Sequence, residues 1–125
     1  MKLIIMAISI IGMSSAAMAQ EGVKRTTLGT RDFPPGYQTV QGLAEVAKGT
    51  CSGRHTHPGV EITYVLEGEQ TFTIDGQPPK VYKAGDAFQV DAGLVHNGCA
   101  TGDRGVKALT VHVIEKGKPL GTPVN

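Results

Sequence analysis

The chain has 125 residues, with 12 basic and 11 acidic side chains, 17 glycines, 7 prolines, no tryptophan and only 5% aromatics. A near-zero charge balance without a basic stripe gives no footing for nucleic acid or for an anionic membrane surface, and leaves a small molecule as the expected partner. The length suits one domain built on one core.

The chain opens with Met1-Lys2, an apolar run from Leu3 to Gly12, and Ala17-Met18-Ala19. Charged, apolar and small-residue regions in that order read as a secretory signal peptide over 1–19, cleaved after Ala19. The run is short for a membrane span, so the expectation is a periplasmic or secreted protein with no membrane attachment after cleavage. Residues 20–37, with Phe33-Pro34-Pro35-Gly36, read as an extended N-terminal arm that pairs with a sheet edge, either its own or a neighbouring subunit's. The second case gives a homodimer. Residues 38–125 form the domain proper.

Within that domain glycine and proline punctuate short segments, which excludes long helices and makes the chain all-β. In Gly49-TCSGR-His55-Thr56-His57-PGV-Glu61-ITYVLE-Gly68, strand alternation sends His55 and His57 to one side and Thr56 to the other. Glu61 to Leu66 and Gln70 to Ile74 alternate about Glu67-Gly68-Glu69, which reads as a hairpin. Strands follow at Val81-Tyr82, Ala87 to Val90, Leu94 to His96 and Ala108 to Glu115, separated by turns at Gln77 to Lys80 and Ala84-Gly85-Asp86. Either Ile62, Tyr64 and Leu66 or Phe88 and Val90 line the interior; Tyr64, if inside, would offer a phenol to a ligand. His112 alternates with Val111 and Val113, as a surface residue or a support behind a site rather than a ligand.

His55, His57, Glu61 and His96 are all of types that bind transition metals. Three imidazoles and one carboxylate make a mixed nitrogen and oxygen set suited to one divalent Fe, Mn, Ni, Co or Zn ion per chain. The bland alternative is that histidines beside Pro58-Gly59 are solvated turn residues. Cys51 and Cys99 lie close to these histidines. If His55 faces His96 in an antiparallel pair, facing residue numbers sum to about 151 and the cysteines lie nearly opposite. An oxidising compartment favours a bridge, but Cys99 is three residues from His96 and should face the other way unless Asn97-Gly98 breaks the pleat. A disulfide, two free thiols and thiolate ligation of the metal all stay open.

The region from Gln38 to Glu115 resembles the cupin superfamily. Its first motif is matched at Gly49, His55, His57, Glu61 and Gly68, and its second at Gly85, Gly93 and His96, with Asp91 where proline is usual and Ala100 where asparagine is usual. The resemblance implies a jelly-roll barrel of two antiparallel sheets, metal ligation by His55, His57, Glu61 and His96, and a homodimer. It further implies a small monocupin similar to the quercetinase branch, a dioxygenase-like oxidoreductase in which Glu61 acts as general base on a small organic substrate. Four protein ligands leave two adjacent octahedral positions for that chemistry. A non-catalytic ligand- or metal-binding module and a metal-dependent isomerase or lyase are the alternatives.

Overall fold

The computed structural model describes residues 20–125. The proposed signal segment, 1–19, lies outside them. Ten strands run in chain order: β1 (Val23–Arg31), β2 (Tyr37–Val46), β3 (His55–Thr56), β4 (Gly59–Glu67), β5 (Glu69–Ile74), β6 (Lys80–Lys83), β7 (Ala87–Val90), β8 (His96–Ala100), β9 (Val106–Glu115) and β10 (Thr122–Pro123). They form two antiparallel five-stranded sheets, β1-β2-β9-β4-β7 and β10-β3-β8-β5-β6, the architecture of a jelly-roll barrel.

Strand β9 sets the faces of the first sheet. It lies between β2 and β4, and its burial alternates without interruption along all ten residues. Val106, Ala108, Thr110, His112 and Ile114 point inward. Residues directly opposite across an antiparallel pair share a face, so β9 assigns Val40, Gly42, Ala44 and Val46 of β2 and Glu61, Thr63 and Val65 of β4 to the interior. Val46, Val65, Phe72, Phe88, Val90, Ala100, Val106 and Ala108 make the continuous apolar core. Each such side chain withdrawn from water contributes on the order of 1–3 kcal/mol.

The outcome separates the two candidate interior sets. Phe88 and Val90 are inside, while Ile62, Tyr64 and Leu66 stand on the outer face. Tyr64 therefore cannot offer its phenol to an interior ligand. The expected hairpin about Gly68 is also corrected: β4 pairs with β7 and β9, and β5 with β6 and β8, so the turn carries the chain from one sheet to the other. Gly68 has φ 83° and its α-carbon lies against the Gly105 carbonyl, leaving no room for a side chain. The extended arm folds onto its own barrel, where residues Val23–Arg31 pair with β2 as an edge strand. Strand β10, absent from the sequence reading, closes the other sheet against β3.

Cys51 and Cys99 are joined in a disulfide. His55 faces His96, whose numbers sum to 151, yet Cys51 faces Cys99, which sum to 150. The stretch from Cys51 to His55 therefore carries one residue more than the stretch from His96 to Cys99. The slip lies at Ser52-Gly53-Arg54, where Gly53 has φ 82°, and not at Asn97-Gly98, since β8 alternates regularly. This slip reverses the face of Cys51 relative to His55, so both sulfurs meet on the side away from the imidazoles. Hydrogen bonds from the Ala100 amide to the Thr50 carbonyl and from the Ser52 amide to the Gly98 carbonyl flank the pair.

Two expectations follow. A β-carbon at Gly59 would overlap the Val113 carbonyl in the adjoining strand, so Gly59→Ala should cost about 2–3 kcal/mol or prevent folding. Gly29→Ala, with open space around it, should stay within about 0.5 kcal/mol by denaturant unfolding. Alkylation should label neither cysteine before reduction and both after it, with reduction lowering stability by about 2–4 kcal/mol for a loop closed over 48 residues. Two thiols labelled before reduction would rule out the bridge.

Candidate metal centre

His55 and His96 come from β3 and β8, in which they are direct cross-strand partners, their ring centroids 4.3 Å apart. His57 follows β3, and Glu61 projects inward from β4 in the first sheet. The two sheets thus carry three imidazoles against one carboxylate. One donor atom from each of the four residues lies within 4.8 Å of the others, and the group could hold a metal ion.

The imidazoles are oriented by the backbone. Nδ1 of His55 donates to the Gly53 carbonyl at 2.7 Å, Nδ1 of His57 to the Leu120 carbonyl at 2.6 Å, and Nδ1 of His96 to the Leu94 carbonyl at 2.9 Å. A carbonyl can only accept, so each Nδ1 carries a proton and a neutral ring has its lone pair at Nε2. Nε2 of His57 and Nε2 of His96 lie 3.0 and 3.1 Å from Glu61 Oε2. Acceptors this close require a positive charge between them, supplied either by a proton or by a cation. This polarity, together with tautomers fixed from behind, fits a metal site.

Glu61 Oε1 accepts a hydrogen bond from Thr63 Oγ1 at 2.7 Å, which leaves Oε2 as the oxygen turned toward the imidazoles. Burial pushes the Glu61 carboxyl up, but hydrogen bonds from His112, His57 and His96 outweigh it and hold the group well below the usual carboxylate range. Burial pushes His55 down to about 4, assisted by charge on His96, His57 and Arg25 and opposed by its bond to Gly53. For His96 burial acts downward too, but the bonds to Glu61 and Leu94 leave it raised.

His112 is a feature that the sequence reading left between surface and support. It is buried, with Nε2 3.6 Å from Glu61 Oε2 and its ring 4.4 Å from that of His57. Its cross-strand partner in β4 is Glu61 itself. The valines on either side suggested an outward polar position, but in β9 the even-numbered residues form the inner face. Pairing Ala108 to Glu115 against the strand of Glu61 would have been the signal.

The four residues open onto a cavity of about 90 Å³ between the sheets. Its wall on the β2 side is made of Val40, Gly42 and Ala44, whose small side chains keep the space clear. Phe72, Phe88 and Gln70 line it elsewhere.

Residues 42–112 match the cupin domain family. No curated protein matches the chain. Among solved structures, it is similar to the DMSP lyase DddQ of Ruegeria pomeroyi, at 23% identity and a TM-score of 0.68, over 82% of this chain and 51% of that one. A cupin-like protein of Thermotoga maritima is 20% identical with a TM-score of 0.69, over 82% and 76% of the two chains. A recombinant oxalate oxidase in complex with glycolate is 22% identical with a TM-score of 0.67, over 85% and 57%. The chain thus spans about half the length of the lyase and of the oxidase, and at these identities the likeness is one of fold. The family match extends over more than half the sequence and includes all four clustered residues, and the chain belongs to the cupin family.

Proposed function

We propose that this cupin is an exported, metal-dependent enzyme acting on a small organic molecule inside the barrel, with dioxygenase-like oxidation as the first reading. The observation that carries it is the set of three imidazoles whose Nδ1 atoms are tied to backbone carbonyls, with donor atoms of all three and of Glu61 within 4.8 Å of one another at the cavity. A divalent cation held by His55, His57, Glu61 and His96 would supply Lewis acidity at the cavity floor. The chain's own residues do the rest: Thr63 fixes one carboxylate oxygen, the other, Oε2, turned toward the imidazoles, is the proton acceptor placed at the cavity, and His112 lies beside that oxygen as a proton partner. Phe72, Phe88 and Val90 exclude water from one side.

A metal-dependent lyase or isomerase is the second reading, favoured by the same site and by the occurrence of both a lyase and an oxidase among proteins of this fold. The disulfide suits an oxidising compartment and supports export. Ile62 and Tyr64, 41% and 45% exposed on the outer face of the first sheet beside Leu66, suit a second copy of the chain and support a homodimer.

His55→Ala with His57→Ala should remove bound metal, by elemental analysis of protein taken from its own compartment; full retention would refute the site. A ligand imidazole must be neutral, so protons compete with the cation. His55 is neutral over the working range, whereas His96 keeps its proton above the ordinary 6.5. Metal affinity should therefore rise with pH through the titration of His96 and fall about tenfold per unit below it, measured by calorimetry; a flat profile would contradict this. Oxygen uptake with catechols, flavonols and β-dicarbonyls separates oxidation from lyase or isomerase chemistry, and metal without turnover indicates a binding module.

A further inference from the structure

Two polar side chains on the cavity are used by nothing described so far. Gln70 of β5 is only 6% exposed, lines the cavity and makes no side-chain hydrogen bond among the described residues. No polar side-chain atom sealed from solvent lacks a partner there, so the Gln70 amide faces the cavity's own space. Its Oε1 lies 2.8 Å from where a β-carbon would stand on Gly98, so it extends over that glycine, two residues along β8 from His96. An amide that faces open cavity space without a protein partner has its donors and acceptor available to a ligand.

Arg25 is the second. It stands directly opposite Ala44, and Ala44 is on the inner face, so the Arg25 side chain belongs to that face although β1 is an exposed edge. It lines the same cavity and forms no ion pair among the described residues. Among the described cavity residues it is the one permanent cation. Ala44 is four residues along β2 from Val40, whose row contains His112 and Glu61. Gln70 is likewise four residues along β5 from Ile74, whose partner is His96. Four residues of strand span about 13 Å. Ala108, in the row of Arg25, and Ala100, opposite Gln70, belong to one core cluster, so both polar groups approach the imidazoles from the same end.

We propose that Arg25 and Gln70 are specificity-determining residues that select a short carboxylic acid bearing a second oxygen function, the carboxylate pairing with Arg25 and the second oxygen meeting Gln70. A planar guanidinium matches a carboxylate by two parallel hydrogen bonds. Arg25 brings one permanent positive charge to its end of the cavity, which matches the single charge of one carboxylate. The small volume suits a molecule of a few carbons. This identification rests on the cavity serving as the substrate site, as in the function proposed above.

The test is calorimetric binding of 3-hydroxybutyrate, its neutral amide and butyrate to the purified protein, both metal-free and metal-loaded, with metal content measured in parallel. The wild type should prefer 3-hydroxybutyrate to the amide. Arg25→Gln should weaken both acids at least about tenfold and abolish that preference, while leaving amide binding and metal content unchanged. Gln70→Leu should weaken 3-hydroxybutyrate about fivefold, to the level of butyrate, with butyrate unaffected. Arg25 is exposed, so its variant decides the matter even if Gln70→Leu fails to fold. No acid binding by the wild type, equal binding of acid and amide, or an Arg25→Gln variant that keeps the preference would overturn the proposal. Selective acid binding by a protein that takes up no metal when it is offered would sustain the recognition pair and overturn the metal reading; bound metal without acid preference would do the reverse.

Discussion

A carboxylate withdrawn from water among four imidazoles must be compensated, and that requirement organises this barrel. Burial alone would neutralise Glu61, yet the hydrogen bonds around it hold it ionised. The compensation is local and directional. Thr63 takes one oxygen, and the Nε2 atoms of His57, His96 and His112 approach the other. The charge remains buried because polar groups replace the water it lost.

That arrangement depends on backbone groups well away from it in sequence. The carbonyls of Gly53, Leu94 and Leu120 turn the three proposed ligand rings, and the last of these comes from the segment that precedes β10. The loops that lead into β3, β8 and β10 thus orient the imidazoles. The disulfide acts on the same stretch, since it fastens Cys51 to β8 on the face opposite His55 and His96. One slipped residue at Gly53 lets a single strand segment serve both faces. A covalent tie outside and a polar cluster inside share one pair of strands.

The first sheet contributes differently. Its long central strand β9 gives a continuous inner face, on which Val106 and Ala108 fill one end, Thr110 and His112 follow, and Ile114 closes the far end. Small residues on β2 leave the space between these ends open. Catalytic proposals draw on the polar stretch, and recognition by Arg25 and Gln70 draws on the approach from the end of Val106 and Ala108. The fold permits many chemistries, so the identity of these wall residues, and not the barrel, narrows the reaction.

Much of this was legible in the chain. The alternation about His55 and His57, the glycine punctuation and the paired motifs led to an all-β cupin with four clustered donor residues, because strand period and turn chemistry are local properties. The jelly-roll pairing was not local. Gly68 reads as a hairpin turn in sequence, but packing against Gly105 makes it a crossing between sheets. The inward direction of His112 and the outward direction of Tyr64 followed only from register against neighbouring strands, since a one-residue shift exchanges the two faces. The cysteine pair shows the same division: sequence brought Cys51 and Cys99 nearly opposite, and the tertiary slip at Gly53 decided that they could meet. Sequence determined which side chains were available and how they alternate, while tertiary structure decided which faces meet, because facing depends on long-range pairing that no short stretch of chain contains.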